Sequence, residues 1–140
     1  PAVAKGRVFV PSSTGHSLTA FSTTGRRLWA LGTGAYVYSS PAVWHGRVYF
    51  GSFNGVLYCV SARTGSILWT VPSGRAISGA PTVVDRVVYF SNIGRRTYGL
   101  DARTGRGLMT FADGDYVPVS GNGGKLLLHG FTDLSAVVPR

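Results

Sequence analysis

The sequence predicts an all-β protein built from about four consecutive copies of one small antiparallel sheet. Two observations lead to this prediction: the chain repeats itself every 40 residues, and its short apolar runs are rich in β-branched and aromatic residues separated by turn residues. The 140 residues include 20 glycines and no glutamate, and only 14% are charged. Because no segment has the spacing of an amphipathic helix, we do not expect helix to dominate the fold.

A shift of 40 residues aligns the same residue types in three copies. The aligned sets are Pro1, Pro41 and Pro81; Val3, Val43 and Val83; Gly25, Gly65 and Gly105; Leu28, Leu68 and Leu108; and Trp29, Trp69 and Met109. A shortened fourth copy runs from about Gly121 to Val138. The copies therefore occupy approximately residues 1–31, 41–71, 81–111 and 121–138.

Each copy contains four short strands, which in the second copy are predicted at 41–44, 47–51, 56–62 and 67–71. The turns between them are His45-Gly46, Asn54-Gly55 and Arg63-Thr64-Gly65. Asn54-Gly55 is a two-residue signal for a type I′ hairpin, and Gly65 is expected in the left-handed region. Four short strands in about 40 residues are typical of a propeller blade. We therefore expect a β-propeller segment with three complete blades and a three-stranded fourth.

The stretch from Gly55 to Trp69 resembles the repeat of the pyrroloquinoline-quinone-like (PQQ-like) β-propellers. That motif has Ala and Asp, then Thr-Gly, then a tryptophan four residues after the glycine. The third copy keeps Asp101 and the Thr-Gly pair, whereas the second has Cys59 where the family favours alanine. The resemblance covers nearly the whole chain, and it implies that Cys59 is a buried, unreactive thiol.

The resemblance also assigns a structural role to one position in each copy. A tryptophan there is expected to lie between neighbouring blades, where two twisted sheets bury its large ring. Trp29 and Trp69 are therefore expected to be structural, and Met109 is expected to fill the same gap more loosely.

Four copies, the last of them short, form an incomplete ring. Propellers close with four to eight blades, and the family resembled here usually has seven or eight. An open sector would leave apolar faces and a strand edge that imply additional protein alongside. Two sources stay open: blades from a longer chain, since the sequence begins at Pro1 rather than Met, or a second copy joined head to tail.

The net charge of +9 is predicted to be one-sided. In an up-and-down sheet, the first and third turns lie at one end, whereas the second turn and the crossing to the next sheet lie at the other. The first end collects ten basic residues against two acidic ones, and the second end three against three. The candidate basic face comprises Arg26, Arg27, Arg63, Arg103 and Arg106.

Two interpretations of this basic face stay open. It either attracts an anionic polymer or keeps a glycine-rich β protein soluble. Specific binding of nucleic acid is not expected, because the sequence has neither a run of lysine and arginine nor a recognition helix.

The other end carries longer crossings at 32–40, 72–80 and 112–120. Loops on a rigid ring, rich in tyrosine, are places where a ligand or peptide docks, although simple loop packing is the alternative. The candidate binding residues are Tyr36, Tyr38, Arg75, Asp115 and Tyr116.

No catalytic, cofactor-binding or metal-ligating residue is predicted. The chain has one cysteine, no glutamate, and three histidines without a predictable partner, and its apolar runs are too short to cross a bilayer as a helix. The family includes quinone-dependent dehydrogenases, but their cofactor-gripping residues cannot be matched here. The resemblance therefore points to the non-enzymatic branch, which includes extracytoplasmic bacterial scaffolds.

The sequence thus predicts a noncatalytic scaffold or binding module that acts outside the cytoplasm of a bacterium and contacts other proteins. Two alternatives stay open. One is a fragment of a quinone-dependent dehydrogenase whose catalytic residues lie upstream of Pro1, and the other is a propeller that binds glycans.

Overall fold

The computed structural model describes residues 1–122, 125–130 and 134–137, which form fifteen strands in four antiparallel sheets. Sheet 1 contains β1 (Ala2–Ala4), β2 (Arg7–Ser12), β3 (Ser17–Ser22) and β4 (Arg27–Gly32). Sheet 2 contains β5 (Ala42–Trp44), β6 (Arg47–Gly51), β7 (Val56–Ser61) and β8 (Ile67–Pro72). Sheet 3 contains β9 (Thr82–Val84), β10 (Val87–Asn92), β11 (Arg96–Asp101) and β12 (Gly107–Phe111). Sheet 4 contains β13 (Gly114–Asn122), β14 (Lys125–Gly130) and β15 (Leu134–Val137).

Each sheet is a meander in which strands adjacent in sequence are adjacent in space. The first strands of the four sheets, β1, β5, β9 and β13, contact one another in that order, so the sheets share an inner side. The predicted all-β propeller segment, with three four-stranded sheets and a three-stranded one, is therefore confirmed.

The turns follow the predicted chemistry with one exception. His45 and Gly46 have φ angles of 44° and 75°, as a two-residue type I′ hairpin requires. The type I′ prediction for Asn54-Gly55 is wrong, because only Gly55 has a positive φ and the connection spans four residues. The Asn54 side chain explains the difference, since its Oδ1 accepts a hydrogen bond from the Val56 N–H at 3.0 Å and closes a local turn.

One position in each of the first three sheets combines a large side chain, a small one and a bulge. Across the last two strands, Ala20 pairs with Trp29, Cys59 with Trp69 and Gly99 with Met109. The register shifts immediately after each small residue. The small partner leaves room for the large one, and the bulge increases the local twist of the outer strand.

Each tryptophan lies against the third turn of the next sheet. A Cβ on Gly65 would stand 2.6 Å from the ring of Trp29, and one on Gly105 would stand 2.8 Å from the ring of Trp69. The Trp29 Nε1–H also donates a hydrogen bond of 3.1 Å to the Ala62 carbonyl. Because only glycine permits this approach, the turn and the ring form one joint between sheets.

The two larger hydrophobic clusters lie in the spaces between sheets, which we call seams. The first seam, between sheets 1 and 2, buries Phe9, Leu18, Ala20, Val37, Val48, Phe50 and Val60. The second seam, between sheets 2 and 3, buries Tyr49, Leu57, Cys59, Ile77, Val88, Phe90, Leu100 and Ala102. Val37 and Ile77 come from the crossings, so the connections between sheets also fill the seams.

The crossing predicted at 112–120 is wrong from Gly114 onward, because β13 begins there and pairs with β14. The Gly114 N–H donates to the Arg95 carbonyl at 2.8 Å, and the glycine lies against Thr97 and Ser91 of sheet 3. The absence of a side chain at Gly114 permits this contact, which brings the chain into strand pairing earlier than in the first two crossings.

We predict that Gly65→Ala destabilises the protein more than Gly25→Ala does. Both glycines have a positive φ, 74° and 90°, but in the described part of the chain no atom lies within 4 Å of a Cβ at Gly25. Backbone strain alone costs about 1–2 kcal/mol, and overpacking against Trp29 adds about 1–3 kcal/mol at Gly65. Urea unfolding measures the difference, and equal losses in the two variants would contradict the docking role.

Candidate functional site

Backbone hydrogen bonds define the two faces of the structure. In each of the first three sheets, an N–H group of the third turn donates a hydrogen bond to a carbonyl of the first turn. The pairs are Thr23 and Gly6, Ala62 and Gly46, and Ala102 and Arg86. An N–H group of each crossing donates likewise to a carbonyl of the second turn. These pairs are Thr33 and His16, Ser73 and Gly55, and Gly114 and Arg95. We call the first side the basic face and the second the crossing face, and this division matches the one predicted.

Four rings on the crossing face form an aromatic patch: His16, Tyr36, Tyr38 and Phe53. Tyr36 is central, with ring centroids 5.0 Å from His16, 5.6 Å from Tyr38 and 5.9 Å from Phe53, and Tyr38 lies 5.1 Å from Phe53. Tyr36 and Tyr38 are 46% and 56% exposed, although Val37 between them is buried. The alternation anchors the crossing through Val37 and directs both tyrosines outward.

Hydrogen bonds at the first seam fix the patch. The Phe53 N–H donates to the Tyr36 carbonyl at 2.9 Å, and Ser52 Oγ donates to Thr33 Oγ1 at 3.2 Å. Asn54 Nδ2 donates to the Thr33 carbonyl at 3.1 Å. The crossing and the second turn of sheet 2 are thereby held together, so the patch presents preorganised rings to solvent.

Arg75 belongs to a different place on the same face. It borders a cavity of about 350 Å³ at the second seam, lined by Ser73, Gly74, Arg75, Asn92, Gly94, Arg96 and Tyr98. None of those residues belongs to the aromatic patch. The structure thus brings Tyr36 and Tyr38 together and places Arg75 at the neighbouring seam. Asp115 and Tyr116 fall in β13, and their side chains lie outside the described residues.

The five predicted arginines of the basic face are all exposed. The third turn of sheet 3 shows how such a turn is held. Asp101 Oδ1 accepts hydrogen bonds from the N–H groups of Arg103 and Thr104 at 2.9 and 3.0 Å and from the Thr104 hydroxyl at 3.1 Å. These hydrogen bonds, the Thr104 N–H first, hold the pKa of Asp101 below its ordinary value, so the carboxylate is charged and fixes the turn.

Cys59 is fully buried in the second seam, and it pairs with Trp69 across strands β7 and β8. Burial raises the pKa of its thiol to about 12, and burial also raises the pKa of the neighbouring Tyr49 hydroxyl. The Tyr49 hydroxyl donates to the Ala102 carbonyl at 2.7 Å. A thiol that stays protonated is a poor nucleophile, so this pair serves packing and hydrogen bonding.

Two kinds of feature are absent from the described residues. No group of three or more histidine, cysteine or acidic side chains has an arrangement that could hold a metal ion. No helix of the length and apolar character needed to cross a membrane occurs in this part of the chain.

Sequence reasoning did not include His16 and Phe53 in the candidate site. Both lie in second turns, which the up-and-down order of strands places on the same face as the crossings. The sequence therefore contained the information that these rings share a face with Tyr36. Sequence reasoning also did not identify the cavity beside Trp44 on the basic face, because that cavity depends on the spacing of two sheets.

The fold and the seams define a β-propeller segment of the PQQ-like repeat class. Residues 14–132 match a protein-family model described as outer membrane protein assembly factor BamB. Because the match spans most of the chain, the chain belongs to this family. No curated protein sequence matches the chain significantly.

Solved structures give the same class. BamB from Moraxella catarrhalis superposes with a TM-score of 0.79 at 16% identity, covering 95% of this chain and 43% of that one. Quinohemoprotein alcohol dehydrogenase from Comamonas testosteroni gives 0.74 at 28% identity, covering 82% and 21%. The computationally designed Ika8 protein gives 0.83 at 16% identity, covering 99% and 44%. The chain thus spans less than half of each of these proteins, and the likeness to BamB and Ika8 shows the fold alone.

We predict that Cys59→Ala flattens the loss of stability at alkaline pH. The folded-state pKa of about 12 exceeds the ordinary value of 9.0, so the unfolded chain loses the proton first. The contribution is therefore complete below about pH 9 and is lost as the pH rises toward 12, at up to about 1.4 kcal/mol per pH unit. Urea unfolding at pH 8 to 11 compares the two proteins. Parallel curves, or rapid alkylation of folded Cys59 at pH 8.5, would contradict the buried-thiol assignment.

Proposed function

We propose that the protein is a noncatalytic propeller module that binds another protein through the aromatic patch on its crossing face. The observation that carries this proposal is the exposure of Tyr36 and Tyr38 in a cluster that hydrogen bonds already hold in place. Aromatic side chains are enriched at protein interfaces and bury large areas at low entropic cost. The patch therefore supplies the rigid anchors on which most binding energy depends.

The family description narrows the kind of partner and the location. The family is described as an assembly factor for outer membrane proteins. We therefore propose that the partner is a component of outer membrane protein assembly and that the protein acts outside the cytoplasm. Fractionation of cells that make the full-length protein tests the location, and recovery in the cytoplasmic fraction would contradict it.

We predict that the double variant Tyr36→Ala/Tyr38→Ala loses partner binding while keeping the fold. Removal of two clustered aromatic anchors is expected to weaken binding at least about tenfold, because truncating interface hot spots has this effect. Tagged wild-type and variant chains are added to an envelope extract, and the bound outer membrane assembly proteins are identified and titrated by surface plasmon resonance.

Leu68→Ala is the matched control, since Leu68 is an exposed apolar side chain, 48% accessible, on the outer strand β8. Its binding should equal that of the wild type. Unchanged binding by the tyrosine variant, or equal losses in the control, would overturn the role of the patch.

Glycan binding is a second candidate, and the same patch favours it. Sugar rings stack on exposed aromatic faces, and Tyr36, Tyr38 and Phe53 offer three adjacent rings. A glycan array that compares the wild type with the double tyrosine variant separates the two candidates. Saturable glycan binding that the variant loses would support this candidate over a protein partner.

A fragment of a quinone-dependent dehydrogenase is the enzymatic alternative, motivated by the resemblance to the alcohol dehydrogenase structure. Titration of the chain with pyrroloquinoline quinone and calcium, followed by absorbance, tests it. The noncatalytic proposal expects no saturable spectral change, and a tight coloured complex would overturn it.

A further inference from the structure

A cavity of about 620 Å³ opens on the basic face at the second seam, opposite the crossing face. Its lining is Trp44, His45, Arg47, Asp85, Arg86 and Arg103. We propose that this cavity binds a small organic phosphate, whose phosphate group lies on the three arginines and whose organic part packs on Trp44. The site is separate from the aromatic patch and does not depend on the proposed protein partner.

Arg47 supplies the first argument. It lies at the start of β6, and its Nε is buried with no hydrogen-bond partner among the described residues. The Nε of Arg7, at the equivalent position of sheet 1, is in the same state at the first seam. A buried charged donor without an acceptor is unfavourable, so the guanidinium of Arg47, which lines the cavity, has hydrogen-bonding capacity that the described residues leave unused.

Arg86 distinguishes the second seam from the first. It occupies the left-handed region with a φ of 68°, where the two preceding copies have Gly6 and Gly46 at 73° and 75°. The two-residue hairpin between β9 and β10 imposes this conformation, so the second seam has a guanidinium where the first seam has no side chain. The Ala102 N–H donates to the Arg86 carbonyl at 2.9 Å, which fixes this turn beside Arg103.

The charge of the cavity selects the ligand class. Three arginines against the single carboxylate of Asp85 leave an excess of two positive charges. A phosphomonoester carries a charge close to −2 and accepts paired hydrogen bonds from guanidinium groups. A single carboxylate carries only one negative charge, so it matches the charge of the cavity less well.

The size and the wall of the cavity indicate an organic part. A volume of 620 Å³ lies in the range of pockets that hold small organic ligands and far exceeds the needs of inorganic phosphate. Trp44 is half-buried, and its ring lies 4.3 Å from that of His45, so one wall is aromatic. The equivalent cavity at the first seam is smaller, about 360 Å³, and has Ala4 in the place of Trp44.

Isothermal titration of the full chain with phenyl phosphate, inorganic phosphate and phenol at fixed ionic strength tests the proposal. We expect saturable binding of phenyl phosphate at one site, weaker binding of inorganic phosphate and none of phenol. Arg47→Gln and Arg103→Gln should each weaken phenyl phosphate binding at least about tenfold, as expected for loss of a charge-assisted contact. Since Arg103 lies in an exposed turn, its variant keeps the test valid if the strand variant fails to fold.

Arg27→Gln is the charge-matched control, because Arg27 is exposed on the same face but lies outside the cavity. Its binding should remain within about twofold of the wild type, since screening weakens distant charges. Equal losses in Arg27→Gln and Arg103→Gln would reduce the effect to the general charge of the face and overturn the site. The absence of saturable phenyl phosphate binding would overturn it as well.

The phosphate group of a lipid is the alternative source of the same chemistry. Vesicles of phosphatidylcholine with and without phosphatidic acid distinguish the two sources. We expect phenyl phosphate to bind and vesicles to leave its affinity unchanged. Vesicle binding that needs phosphatidic acid and is lost in Arg103→Gln, without binding of phenyl phosphate, would overturn the assignment of a small soluble ligand.

Discussion

The structure depends on the docking of a tryptophan ring from one sheet onto a glycine in the third turn of the next. In the described part of the chain, the two larger clusters of buried side chains lie in the seams between sheets, and the third surrounds Tyr89 on sheet 3. Trp29 over Gly65 and Trp69 over Gly105 set the spacing of the two seams. The hydrophobic residues of adjacent sheets bury one another only at that spacing, so the ring contact is the joint around which each seam packs.

The equivalent backbone carbonyl accepts a hydrogen bond from a tryptophan at the first seam and from a tyrosine at the second. At the first seam, the Trp29 Nε1–H donates to the Ala62 carbonyl, and Phe9 stands beside it without a polar group. At the second seam, a tyrosine replaces Phe9, and the Tyr49 hydroxyl donates to the equivalent carbonyl of Ala102. The Trp69 Nε1–H is then buried and has no hydrogen-bond partner among the residues that the structure describes. At the second seam the tyrosine thus occupies the acceptor that the tryptophan uses at the first seam, and Trp69 holds its seam by packing.

The two faces are free to differ because the seams, and not the turns, carry most of the packing. The crossings contribute Val37 and Ile77 to the seams and leave the residues on either side free to vary. In the first crossing those residues are Tyr36 and Tyr38, which build the aromatic patch, and in the second they are Ala76 and Ser78. On the basic face, Trp44 and Arg86 distinguish the second seam in the same way. A regular repeat thus presents one distinct surface at each seam.

The sequence by itself determined the repeat, the four-stranded meanders and the division of turns between two faces, since these follow from local periodicity, turn chemistry and strand alternation. It placed Tyr36 and Tyr38 on one face. It did not predict their ring contacts with His16 and Phe53, because those two residues come from different sheets. It did not predict that β13 begins at Gly114, where contact with Thr97 overrides the loop pattern. Only the tertiary structure decided that Arg47, Arg86 and Arg103 line one cavity, because the width of a seam is set by tryptophan rings that each meet a glycine 36 residues further along the chain.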